Sequence, residues 1–434
     1  MQLHPQLKTG LKVVAGMFVM ILFLVLIYQL PPVQTRLGWR FDAIVTSLRT
    51  AFHPIGNLPT PIAAVETPTL SFTVTATPTA ATPTPIIGTP VGTSTETPTE
   101  GPSPTPTLAP TQTTAPLPAQ VKLDPPAYET QDWNNCGPAS LAMYLNYYGW
   151  TGTQADIDAV VKIHRNDRNV NIDELTGFVH DHVPELNALY RVGGTLPLLR
   201  SFLANGFPVV IEEAFILDKN YWANDDRWSG HYLLLTGYDD EAQYFISQDT
   251  FLGANRHVSY SDLDKNWQGF NRAYILIYKP EQQSQAESLI GSAYDMDIDR
   301  RLALQTAQDE TQADPTNAFA WFNLGTNLTY FERYNEAARA YDKAREIGLP
   351  QRMLRYQFGP FIAYFHAGRN DDLLALTDYA LNVTTNSEEA LLWRGWGLYR
   401  AGKREEALQS FQQALDARPD YQDALYAVSY VNSN

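Results

Sequence analysis

Residues 128–150 read YETQDWNNCGPASLAMYLNYYGW, and the fold turns on how this stretch is parsed. Pro138 suits the start of a helix, where the amide hydrogen it lacks would go unpaired. Leu141, Leu145 and Tyr148 then recur at helical spacing and predict a core-facing stripe that ends at Gly149. Cys136 therefore stands at a helix N-terminus. Unpaired backbone amides and the helix dipole favour a thiolate there, the form that attacks carbonyl carbon. It is the one cysteine in 434 residues, so no intrachain disulfide can form. The residue is either a small buried hydrophobe or a reactive thiol.

A reactive thiol needs a base, and the chain has eight histidines. His4 and His53 lie beside the N-terminal apolar stretch and His366 lies in a repeat, while His164, His180, His182 and His257 stand in polar surroundings without a partner pattern. His231 differs. It opens GHYLLLTGYDDEAQYFISQDT (230–250), which predicts an apolar strand, a turn at Asp239 and Asp240, and a returning strand. The hairpin would bring Asp249 near His231, where a carboxylate accepts the other ring N–H, sets the tautomer and stabilises the imidazolium. Asp239 and Asp240 compete for that role.

Between these two halves, residues 151–212 read as mostly helical. Ile157, Val160, Val161 and Ile163 mark one helix, Ile172, Leu175 and Val179 a second, and Leu196, Leu199 and Leu203 a third, ahead of the strand PVVIEEAF (208–215). The pattern predicts an α+β domain with helices on one side of an antiparallel sheet. Trp222, Trp228 and Tyr232 crowd the approach to His231, either lining a cleft or packing a core.

Taken together, Gln131, Cys136-Gly137-Pro138, an apolar helix ending in Tyr-Tyr-Gly, Gly206-Phe-Pro208-Val-Val, Gly230-His231-Tyr and Asp249 resemble cysteine peptidase family thirty-nine. That is the papain-like family of bacteriocin-leader-processing peptidases and their relatives. The resemblance spans about residues 120–280. It implies a nucleophile at Cys136, a general base at His231, an orienting acid at Asp249 and an oxyanion donor at Gln131, with no cofactor or metal. One position departs: relatives often have Asp-Pro where this chain has Asp249-Thr250. No transporter module is present in the sequence, so the leader-processing role does not carry over.

The N-terminal part is of another kind. Residues 13–30, VVAGMFVMILFLVLIYQL, carry no charge and are long enough to cross a bilayer core of about 30 Å. They predict a transmembrane helix rather than a cleaved signal peptide, because Gln29, Leu30, Pro31 and Pro32 follow without a small-residue cleavage site. Lys8 and Lys12 on one side are offset by Arg36, Arg40 and Arg49 on the other, so charge alone leaves orientation open. In residues 31–56, Leu37, Trp39, Phe41, Ile44, Val45 and Leu48 suggest either an interfacial helix or a short packing helix. Residues 57–120 are repeated Thr, Pro and Ala with no Lys or Arg, which predicts a disordered, extended stalk. Thr/Pro stalks beside an anchor point outward, so residues 1–12 are expected in the cytoplasm and the rest outside it.

After the peptidase-like stretch (121–280), residues 284–434 repeat themselves. Gly325, Ala337, Tyr341 and Ala344 recur as Gly395, Ala407, Phe411 and Ala414, each 70 residues on (395 − 325 and so forth), about twice the tetratricopeptide period. The segment resembles tetratricopeptide repeats, with Pro315, Pro350 and Pro419 ending units, a degenerate middle repeat, and a capping helix over 421–431. In such an all-α solenoid the first helix of each pair lines the concave face. Leu392, Trp396, Tyr399 and Arg400, with Phe322 and Thr326, are thus candidates to contact a polypeptide partner.

A net charge of −16 argues against nucleic acid, which calls for a basic surface. Three functions remain open from the residues: a membrane-anchored extracytoplasmic peptidase whose repeats recruit substrate or partner, a catalytically silent scaffold, or a thiol amidase acting on another amide such as a peptidoglycan cross-bridge.

Overall fold

The computed structural model describes residues 16–20, 22–24, 26–28, 33, 44–62, 116–162 and 169–433. The expected membrane span, the first part of the juxtamembrane segment, residues 63–115 of the stalk, Ile163 and His164 lie wholly or partly outside the described residues. Among the described residues no helix is long and apolar enough to cross a membrane.

The peptidase-like part is built on a seven-stranded sheet in the order β2-β7-β3-β4-β5-β6, with β1 added to β4. Its strands are β1 (Gln120–Lys122), β2 (Asn187–Arg191), β3 (Val209–Ile216), β4 (Trp228–Asp239), β5 (Tyr244–Asp249), β6 (Gly253–Ser259) and β7 (Tyr274–Tyr278). Every described pairing is antiparallel. The helices are α1 (Cys136–Tyr147), α2 (Gln154–Val161), α3 (Ile172–His182), α4 (Leu196–Ala204), α5 (Tyr260–Gln268) and α6 (Gln283–Ile290).

These helices cover both faces, which corrects the one-sided arrangement expected. The central strands explain why. Val210, Leu234, Ile275 and Ile277 pack under α1, α2 and α3. The alternate residues Val209, Ile211, Leu233, Leu235, Tyr274 and Leu276 pack under α4, α5 and α6. A strand apolar on both faces needs two covers, since each buried Leu or Ile contributes about 1.5–3 kcal/mol only when its own face leaves water.

Helix α1 begins at Cys136, two residues ahead of Pro138, and runs between α3 and the sheet. Residues Gly137 to Leu145 are all buried. Its hydroxyls pin it to the sheet: Ser140 Oγ donates to Tyr232 O at 3.2 Å, and Tyr144 Oη accepts from Ile277 N at 2.9 Å. At Gly137 a Cβ would stand 3.2 Å from the Tyr232 ring and 3.3 Å from Leu175, so glycine lets the helix start sit close to β4.

The C-terminal region continues as α7 (Met296–Ala313), α8 (Ala318–Tyr330), α9 (Tyr334–Ile347), α10 (Gly359–His366), α11 (Asn370–Val383), α12 (Glu388–Arg400), α13 (Arg404–Ala417) and α14 (Gln422–Ser433). Helices α8/α9, α10/α11 and α12/α13 form the pairs, with α7 before and α14 after. The residues in 70-residue register do equivalent work. Ala337, Ala344, Ala407 and Ala414 are fully buried, Gly325 lies under the Tyr341 ring, and Gly395 lies under the Phe411 ring.

Residues 44–52 are helical, and residues 55–62 run along the repeats. Ile55 and Leu58 are buried, and Arg345 donates to Pro59 O and Thr60 O at 3.0 and 2.9 Å. The segment expected as stalk from residue 57 therefore begins as a docked, irregular segment, with the carbonyls of Pro59 and Thr60 held by the Arg345 side chain.

Candidate active site

The nucleophile's setting follows from the turn that precedes α1. Asn134 has φ of 55°, in the left-handed region that Asn tolerates. Asn135, at the cap position, does not bond the helix amides. Its Nδ2 donates instead to Gln154 Oε1 and Asp158 Oδ2, both at 3.0 Å, and its Oδ1 accepts from Lys162 Nζ at 3.1 Å. The first-turn amides of α1 are thus not consumed by a side-chain cap, and that of Gly137 bonds the thiol.

The Cys136 side chain is partly exposed and hydrogen-bonded to His231. Burial pushes its thiol up. The hydrogen bond and positive charge of His231, with backbone N–H groups of Tyr232 and Gly137, outweigh that and leave it below the ordinary thiol value. His231 Nε2 lies 3.0 Å from Asp249 Oδ1, so Nδ1 is the ring nitrogen left for the thiol. Burial lowers the imidazolium's proton affinity, but Asp249 and the Cys136 sulfur more than offset it and raise the pKa to about 10. Asp249 is itself held low. Burial opposes its charge, while His231 and the amides of Leu252 and Phe251, each donating to Oδ1 at 2.9 Å, favour it. This is the pattern of a thiolate–imidazolium pair oriented by a carboxylate.

Asp239 and Asp240 are excluded from the site. Asp239 bonds Gln120 and the hairpin turn, and Asp240 pairs with Arg200. Gln131 lines the cleft with Cys136 and His231. Thr250 Oγ1 donates to Gln131 Oε1 at 2.8 Å, and Gln131 N donates to Thr250 O at 3.0 Å. With its oxygen occupied, the Gln131 amide has Nε2 as the group left to face a substrate. The Thr250 departure from the family pattern therefore carries a contact that proline cannot make.

The sequence reading missed other parts of the cleft. Glu212 lines it, and burial, then the Cys136 charge, push its carboxyl well up. Glu213 Oε2 is buried without a hydrogen-bond partner. Arg355 and Tyr356, in the connector between α9 and α10, line the same cleft. Tyr356 Oη lies 2.6 Å from Ser229 Oγ, and Arg355 Nη2 donates to Asn134 Oδ1 at 3.4 Å. No local motif marks these two. Of the three aromatics near His231, Tyr232 lines the cleft, whereas Trp222 and Trp228 are buried against the repeats: Arg352 stacks 4.0 Å from the Trp222 ring, and Phe319 of α8 lies nearly parallel to Trp228 at 6.3 Å.

In the repeats, Leu392 and Phe322 are buried, which corrects their expected groove position; each packs within its own helix layer. Trp396 is half-buried, with ring centroids 5.2 Å from Phe411, 6.1 Å from Tyr399 and 5.7 Å from Tyr430 of α14. Arg400 lies 3.8 Å over the Phe365 ring. Among the described residues no group of three or more His, Cys, Asp or Glu side chains is arranged to hold a metal ion.

Two parts of the chain resemble known families. Residues 116–275 match the Peptidase C39-like family. Residues 388–421 match the tetratricopeptide repeat model. The peptidase-like domain is thus followed by a tetratricopeptide-like helical region. Similar solved structures include a putative C39-like peptidase from Bacillus anthracis, at 18% identity over 37% of this chain and 98% of that one, with a TM-score of 0.29. A double glycine motif protease from an AMS/PCAT transporter, solved with its leader peptide, has 17% identity over 37% and 94% of the two chains and a TM-score of 0.26. The repeat protein YrrB has 19% identity over 33% and 88%, with a TM-score of 0.18. No curated protein matches the chain.

Proposed function

We propose that the chain is a cysteine peptidase, anchored by residues 13–30, that works outside the cytoplasm by acyl transfer through a thioester at Cys136. The observation that carries this reading is the unbroken series of contacts from the Cys136 thiol through His231 to Asp249. The Cys136 sulfur attacks the scissile carbonyl carbon, and the oxyanion is received by the Gln131 Nε2 and the Cys136 N–H. His231 gives its proton to the leaving amine as the C–N bond breaks, leaving an acyl-thioester and neutral imidazole. Water then loses a proton to His231 as it attacks the thioester, and the peptide acid departs from a restored ion pair.

The anchor is supported by the described residues of the apolar stretch. Phe18, Val19, Phe23 and Leu26 are each more than 60% exposed on helical backbone, an apolar surface that suits lipid. The repeats are read as the surface that recruits a polypeptide, with Trp396, Tyr399 and Arg400 the candidate contacts. Capture of the same envelope proteins by wild type and by folded Trp396→Ala and Arg400→Ala would remove that assignment.

The deciding experiment is alkylation of Cys136 across pH, read by intact mass. The thiol should react well below pH 8.5, the ordinary thiol value, and His231→Ala should return the profile to that value. An ordinary titration in the wild type would leave the scaffold reading. Chelators are expected to leave activity unchanged.

A further inference from the structure

The N-terminal segment does more than lead into a stalk. Between the apolar stretch and the Thr/Pro region, the helix at 44–52 and residues 55–62 are fixed to the repeats at both ends. Arg49 Nη2 donates to Leu381 O at 3.0 Å and Asn382 O at 2.6 Å, occupying carbonyls at the C-terminus of α11. Tyr379 Oη donates to Gly56 O at 3.0 Å, Arg345 holds Pro59 O and Thr60 O, and Ile62 N donates to Asp372 Oδ1 at 3.0 Å. Arg345 and Asp372 are themselves buried and paired at 2.9 Å. On the other side of residues 63–115, Pro118 and Ala119 belong to the same folded body, and their carbonyls accept from Tyr238 Oη at 2.7 Å and Asp240 N at 2.8 Å. Residues 63–117 therefore join two points of one body.

The helix at 44–52 has two unlike sides. Arg49 faces the repeats, and Thr46 lines a crevice with Trp133, Asn134, Tyr221 and Arg355, all of which also line the catalytic cleft. Ile44, Val45, Leu48 and Phe52 share the opposite side and are 45–80% exposed. An apolar stripe a short way after a proposed membrane anchor suits the headgroup boundary.

We propose that residues 44–62 clamp the peptidase–repeat body to its own anchor, with the apolar side of the 44–52 helix on the bilayer, so that the cleft takes polypeptide segments presented at the membrane surface. This rests on the anchor and peptidase readings above, and it replaces the stalk as a spacer. Chain length separates the two arrangements. Sixteen residues (46 − 30) reach at most about 55 Å even when fully extended. The 57 residues from 63 to 119 would hold the body up to about 180 Å away in polyproline form.

The test uses the full chain in phosphatidylcholine–phosphatidylglycerol vesicles, with a site-specific protease sequence inserted after Gly88. After cutting, the C-terminal fragment should still float with the vesicles. Its release would overturn the clamp. A variant with Arg49→Ala and Gly/Ser in place of residues 55–62, none of them in the peptidase core, should release the fragment on cutting, and continued flotation would show that the clamp residues are misassigned. If uncut wild type fails to float, the anchor reading fails instead. Because Cys136 is the one cysteine, a donor dye there reports its distance to acceptor-labelled lipid. Transfer should be unchanged when residues 63–115 are doubled in length and should fall in Leu48→Asp/Phe52→Asp; dependence on linker length would restore the spacer. New protein N-termini lost in Cys136→Ala cells should lie within about 20 residues of membrane-embedded segments. A set drawn from soluble proteins would overturn the substrate class. An inactive chain yields no such termini yet still floats, so the two readings fail separately.

Discussion

Thr250 shows how a single hydroxyl can set an amide. Its bond to Gln131 Oε1 decides which end of that amide faces the cleft. Gln131→Ala should lower kcat/KM by about 10²-fold, the usual loss for an oxyanion donor, and Thr250→Val by less, about 10-fold, with the fall in kcat rather than KM. Equal activity of Thr250→Val and wild type in steady-state assays would leave Gln131 oriented by other contacts. Glu213 offers a second residue-scale prediction. Burial, the largest influence, raises its pKa from 4.5 to about 7. The folded state then binds the proton more tightly than the unfolded state, so stability declines as pH rises from about 4.5 to about 7 and stays lower above that. Glu213→Gln should gain on the order of 3 kcal/mol over wild type at pH 8, and none near pH 4, in paired thermal melts.

At the scale of elements, the helix pairs depend on small residues meeting rings. A Cβ on Gly395 would stand 2.3 Å from the Phe411 ring, so α12 and α13 must part to admit it. Gly395→Ala should cost about 1–3 kcal/mol by overpacking, and Phe411→Leu in the same chain should recover part of the loss. Denaturant melts of the three variants check this. The same element-scale logic explains the sheet. The runs in β3, β4 and β5 were visible as strands, but β1, β2, β6 and β7 were not read from the sequence and became visible only through their partners.

Across the whole molecule, the peptidase-like part and the repeats share a buried polar seam. Arg352 grips Asp225 through both nitrogens at 2.7 and 2.6 Å and also donates to Trp228 O. Asn271 and Asn327 exchange amide bonds at 3.1 and 3.3 Å, and Arg418 reaches Glu174 at 2.6 Å. Arg352→Ala leaves the Asp225 carboxylate buried and unpaired, and should destabilise the chain by about 3–5 kcal/mol. Because Arg355 and Tyr356 follow on the same connector, this variant should also raise KM, as measured on the fraction that remains folded at low temperature. Unchanged KM with lowered stability would mean that the connector does not shape the cleft.

The chain's residues by themselves carried the candidate trio Cys136, His231 and Asp249 and the repeats, because both are marked by local patterns. A thiol at a helix start, a histidine at a strand start with an acid on the returning strand, and small residues at a fixed 70-residue offset are each legible within a few dozen residues. What only the tertiary structure decided depends on contacts between positions far apart: the second helical cover on the sheet, Thr250 on Gln131, the Arg355–Tyr356 wall of the cleft, and the return of residues 55–62 to Arg345 and Asp372. Segment 57–62 reads as stalk because Pro and Thr dominate it and apolar periodicity is absent. It docks through backbone carbonyls, which every residue possesses and no sequence pattern advertises.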